Sequence, residues 1–97
     1  MWRLRKDAHP VLTDEGGAIL SERTGRWTYL TPSAAWALRC LLAAGDETQA
    51  AGPYAARYGL PPVQAAADLR SVAAHLAAQD LTVPPALPRR WGWRWGR

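Results

Sequence analysis

Ninety-seven residues, 48% of them hydrophobic, suffice for one domain and leave no room for a second core. The net charge of +4 lies wholly in Arg89, Arg90, Arg94 and Arg97, because residues 1–88 hold eight basic and eight acidic side chains. Residues 8–88 alone, with five basic against seven acidic, come to −2, which speaks against a nucleic-acid-binding surface on the fold itself.

A single cysteine, Cys40, excludes an internal disulfide and points to a reducing compartment. The basic start is not followed by the apolar run of a secretory signal, and every apolar stretch is too short to span a bilayer. The cytoplasm is the expected location.

In chain order, residues 1–10 carry no periodicity and are predicted to form a lead-in, flexible over residues 1–8. Residues 11–14 read as a short strand, Glu15-Gly16-Gly17 as a hairpin turn, and residues 18–21 as the second strand. A second turn over 22–25 places Gly25 at a left-handed position, and the third strand covers 26–30. Side chains alternate along it, so Trp27 and Tyr29 share one face while Thr28 and Leu30 share the other. No strand pattern follows. One edge of the third strand is therefore expected to stay open, with Thr28 supplying an edge donor.

Thr31-Pro32 opens the first helix, with Thr31 as N-cap and Pro32 in the first turn, and Ala34, Ala35, Leu38, Leu41 and Leu42 form its apolar stripe. Gly45 ends it. A second helix, ended by Gly59, is expected to split at Gly52-Pro53, because an interior proline costs about 3 kcal/mol. Pro61-Pro62 starts a third helix reaching about Gln79, with Leu69, Val72 and Leu76 as its ridge and Ala73 beside it. Leu81 and Val83 are expected to fold back onto the core. From Pro84 the composition changes to a proline-rich linker and a Trp/Arg-rich tail, together residues 84–97. The fold class is α+β: a three-stranded antiparallel meander followed by three helices.

This order of signals, with Leu30-Thr31-Pro32 leading into an Ala/Leu-rich helix and Asp68-Leu69-x-x-Val72-x-x-x-Leu76 in the third, resembles the PqqD-like family. The family comprises recognition elements for ribosomally made precursor peptides. The run from Ala18 to Leu30 is most similar to the stand-alone members of lasso peptide pathways. The resemblance covers residues 9–83 and implies a winged-helix-like domain that binds the precursor's leader as an added strand on residues 26–30. The guest would lie in a groove floored by the third helix and be handed to a leader peptidase and a cyclase. Gly52-Pro53 and the Trp/Arg tail depart from the pattern.

Strand addition draws affinity from main-chain hydrogen bonds and specificity from pockets for alternate side chains. On that logic the peptide-binding candidates are Arg26, Trp27, Thr28, Tyr29 and Leu30 on the strand. Leu69, Val72, Ala73 and Leu76 would form an apolar wall, and Arg26 and Arg70 would meet acidic guest residues. Trp27 and Tyr29 serve equally well as a grip on the guest or as a cover for the sheet.

Catalytic signatures are not evident. Cys40 sits among apolar helix residues and reads as a buried thiol, His9 and His75 are isolated, and no cofactor or metal set stands out. Trp36 reads as core or sheet cover, and Asp68 as a solvated helix residue or a partner for the sheet. The tail reads as an extension without a dedicated role, with base stacking or an anionic membrane surface as the sharper options. The alternative for the whole chain is a small winged-helix DNA-binding protein. It lacks a basic recognition helix, since the third helix offers Arg70 near Asp68 and Asp80. A structural subunit of a larger complex is the third reading.

Overall fold

The structure, a computed structural model, describes residues 2–83, so the linker and tail at 84–97 lie outside it. Strands β1 (Ala8–Thr13), β2 (Gly16–Ser21) and β3 (Trp27–Leu30) form an antiparallel sheet in the order β1-β2-β3. Helices α1 (Pro32–Ala44), α2 (Glu47–Tyr58) and α3 (Pro62–Ala78) follow. The expected α+β order is what is found.

Local chemistry accounts for most boundaries. Thr31 caps α1 by accepting the Ala34 N–H at 3.2 Å, and Asp46 caps α2 through the Gln49 N–H at 2.8 Å. The β1–β2 hairpin turns on Asp14 and Glu15 alone, not on the glycines, since Thr13 pairs with Gly16 and Leu12 with Gly17. Gly16 and Gly17 serve close approach instead. A Cβ on Gly16 would lie 2.6 Å from the Leu30 carbonyl oxygen, and one on Gly17 2.6 Å from that of Val11. Gly25, at φ 72°, turns the chain into β3 as expected.

Pro53 does not split α2. The helix runs from Glu47 to Tyr58 through it. The missing N–H deprives only the Gln49 carbonyl four residues earlier, and both Gln49 and Pro53 are exposed, where solvent can satisfy a stranded carbonyl. Pro53→Ala is expected to restore the bond and stabilise the fold by about 1–3 kcal/mol, read as a raised midpoint in urea unfolding.

The lead-in is also not free. Trp2 donates its N–H to the Gly45 carbonyl at 2.7 Å, Arg5 to Leu81 at 2.9 Å, and Val83 in return to Arg3 at 3.0 Å. Leu4 bridges Thr82 in antiparallel fashion. Residues 3–5 thus pair with 81–83, and Trp2 packs against both halves of the core. One half joins α1, α2 and α3 around Leu41, Tyr54 and Leu69; the other joins the sheet to α1 and α3 around Ile19, Leu38, Leu76 and the folded-back Leu81. Val72 touches both.

Candidate functional site

The free edge of β3 is the centre of the site. Within the described residues β3 has β2 on one side and no strand on the other. Its outward groups follow from the register. Ser21 donates to the Arg26 carbonyl at 2.9 Å, which marks that pair as hydrogen-bonded, and pairing then alternates along the ladder. Thr28, opposite Ile19, and Leu30, opposite Gly17, therefore turn their main-chain groups toward β2. The Leu30 carbonyl beside Gly16 agrees with this. Trp27 and Tyr29 present their N–H and C=O groups outward. The edge donors are thus Trp27 and Tyr29, and Thr28 is not one of them.

Opposite that edge stands α3. No Cα of α3 comes within 8 Å of a Cα of β3, although Leu30 and Leu76 share a core cluster and Val72 packs against it. An added strand would lie ~4.8 Å from β3 on this open side, the side that faces α3. At the Leu30 end a depression of about 310 Å³ opens between Leu30, Thr31 and Ala34 on one side and Ser71, Val72 and His75 on the other. At the Arg26 end a second, of about 260 Å³, lies between Arg26, Thr28, Ala78 and Gln79, with Arg23 and Asp80 at its rim. A larger hollow of about 410 Å³ sits between Arg3–Asp7 and Val83, away from β3.

The predicted site residues divide accordingly. Arg26, Thr28, Tyr29, Leu30 and Val72 border the groove. Leu69 and Leu76 are 0% exposed and Ala73 is 7% exposed, so these three back the groove from within the core and do not line it. The stripe Leu69–Ala73–Leu76 faces inward, and the groove runs along its flank, where Ser71 and His75 join Val72. Arg70 is exposed and borders neither depression. Trp27 and Tyr29, 49% and 79% exposed, stand on the sheet's outer face. There Tyr29 lies in line with Ala18 and Val11, and Trp27 with Leu20 and His9.

Sequence periodicity missed Thr31, Ala34, Ser71 and His75. Thr31 and Ala34 were visible only as helix-start residues. Ser71 and His75 carried no signal beyond spacing, His75 lying three places from Val72 and four from Ser71, hence beside both on the helix.

The remaining polar groups are structural. Burial pushes the Cys40 thiol up, away from nucleophilic use. Burial, with the Asp68 carboxylate adding to it, does the same to the Tyr54 phenol. Asp68 accepts from Gln64 at 2.8 Å, one turn away, and makes no bond to the sheet. Trp36 packs on the helical core under the guanidinium of Arg57, 4.7 Å from its ring centre, and so does not cover the sheet. Among the described residues no three His, Cys, Asp or Glu side chains are grouped to hold a metal ion, and no helix is long and apolar enough to cross a membrane.

Three comparisons bear on this geometry. The family model of coenzyme PQQ synthesis protein D (PqqD) matches residues 16–81. A solved lasso peptide synthetase B1 complexed with the leader peptide is 24% identical, with 86% of this chain and 98% of that one covered, at a TM-score of 0.75. TbiB1 in complex with the TbiA(β) leader peptide is 18% identical, with 88% and 99% covered, at a TM-score of 0.76. At these identities the likeness establishes the fold. No curated protein matches the chain.

Proposed function

Because this chain belongs to the PqqD family, we propose that it is a non-catalytic module that captures the leader of a ribosomal precursor peptide by strand addition to β3. The observation that carries this reading is the open edge at Trp27 and Tyr29, with depressions between β3 and α3 at either end of it. Two groups that each offer a donor and an acceptor suit an extended backbone, and the flanking depressions suit alternate side chains. The solved structures of similar fold hold leader peptides, and their pathway chemistry makes a lasso precursor the expected guest. A leader peptidase, and after it a cyclase, would receive that guest. The exposed Trp27–Leu20 and Tyr29–Ala18–Val11 rows leave the outer face of the sheet accessible beside the bound strand.

A DNA-binding reading has little support. The exposed face of α3 offers one arginine, Arg70, and phosphate contacts supply most of the affinity in sequence-independent DNA binding.

The test is fluorescence anisotropy of a labelled synthetic leader, taken from the precursor encoded beside this protein, titrated with the full chain and compared with a random DNA duplex. Saturable leader binding at micromolar concentration or below, without comparable duplex binding, is expected. Salt-sensitive duplex binding with no leader binding would sink the proposal.

A further inference from the structure

Resting on that reading of the groove, the geometry points to a guest with a fixed chemical pattern: an apolar side chain at the Leu30 end and, four residues along the strand, an aspartate or glutamate facing Arg26. Arg26, Thr28 and Leu30 have the same parity, and the Ser21–Arg26 hydrogen bond extends the ladder to Arg26. All three therefore turn toward the helix side of the sheet. They grade from charged through polar to apolar along the groove, and the opposite wall grades with them, from Gln79 and Asp80 just past α3 to Val72 within it.

The charges at the Arg26 end do not cancel. Asp80 is engaged by Arg23 and, at 3.8 Å, by Arg5, while Arg23 also reaches Asp7 at 4.0 Å. Those four side chains form a neutral network. Arg26 makes no ion pair among the described residues, although it borders the same depression. The groove thus carries one uncompensated positive charge at one end and an apolar seat at the other. A guest strand laid beside β3 places every second side chain over this row. Cross-strand pairs of opposite charge are favourable and like charges opposite one another are not.

The experiment is an alanine and charge scan of the same synthetic leader against wild type, Arg26→Gln and Arg26→Glu, read by anisotropy. Arg26 is exposed, so both variants are expected to melt as wild type does, and circular dichroism checks this. Removing the acidic guest residue should weaken wild-type binding roughly fivefold and leave binding to Arg26→Gln unchanged. Replacing it with lysine should weaken wild type further yet recover affinity for Arg26→Glu. The proposal is overturned if the leader has no acidic residue four places from its costliest apolar one. It is equally overturned if Arg26→Glu binds the unaltered leader as tightly as wild type. Either result leaves leader capture standing, whereas a leader that fails to bind wild type removes both.

Discussion

Tyr29→Pro is expected to weaken leader binding at least about fivefold while leaving the fold intact, and Thr28→Pro to damage the fold itself. The two positions are neighbours with similar exposure to the edge in sequence, but their amides point in opposite directions. The Tyr29 N–H faces outward, so a proline there removes a donor that no group among the described residues uses, as edge strands allow. A bound guest would then hold a carbonyl without its partner. An unsatisfied group of that kind costs about 1–3 kcal/mol, hence roughly five- to a hundred-fold in affinity.

Thr28 is different. It lies opposite Ile19, which is fully buried, and its N–H belongs to the β2–β3 ladder. Proline there orphans a sheltered carbonyl and drives a ring toward β2. In a domain of this size the total stability is small, so a loss of ~2–3 kcal/mol shows as a melting temperature lowered by about 8–24 °C. Tyr29→Ala, which keeps the amide and removes the ring, separates the main-chain contribution from the phenol. Equal binding by wild type and Tyr29→Pro would mean that the guest does not pair with this edge.

The distinction between Tyr29 and Thr28 shows where reading from sequence stops. Period-two alternation told which side chains share a face, and the structure keeps that division: Thr28 and Leu30 inward, Trp27 and Tyr29 outward. It could not tell which amides point away from β2, because that depends on pairing across the strand. The helix caps at Thr31 and Gly45 were legible since a cap is a local arrangement of a few residues. The pairing of residues 3–5 with 81–83 was not, because it joins the two ends of the domain and leaves no trace in any window. Leu69, Ala73 and Leu76 were found as a stripe, but a stripe has no printed edge. The groove begins at its flank, on Ser71 and His75, whose chemistry does not announce a rim. Pro53 was misjudged because the cost of an interior proline depends on whether water reaches the carbonyl it strands.

The glycine pair at the first hairpin raises the same issue and leads to the largest expected change in stability. Adjacent glycines near a turn suggest backbone freedom, yet the turn residues are Asp14 and Glu15. Gly16 stands at φ 135°, a region L-residues rarely enter, and its missing Cβ leaves room for the Leu30 carbonyl oxygen 2.6 Å away. That oxygen belongs to the backbone of β3, so nothing flexible can yield. Gly16→Ala is therefore expected to cost ~3 kcal/mol or more from backbone strain and steric conflict together. That is a drop of about 12–24 °C in melting temperature for a domain of this length. The displaced element is the strand whose edge takes the guest, so leader affinity should fall even at temperatures where the variant remains folded. Gly52→Ala is the matched control. Gly52 lies inside α2 with nothing beyond its chain neighbours within 4 Å of the added methyl, but Pro53 follows and disfavours helical backbone before it once a Cβ is present, so alanine's helix preference is offset and stability should change by less than about 1 kcal/mol. The same chemical change thus has very different costs at two sites in one chain. A Gly16→Ala variant as stable as wild type would overturn the register that sets Leu30 against Gly17, and with it the assignment of Trp27 and Tyr29 as the open edge.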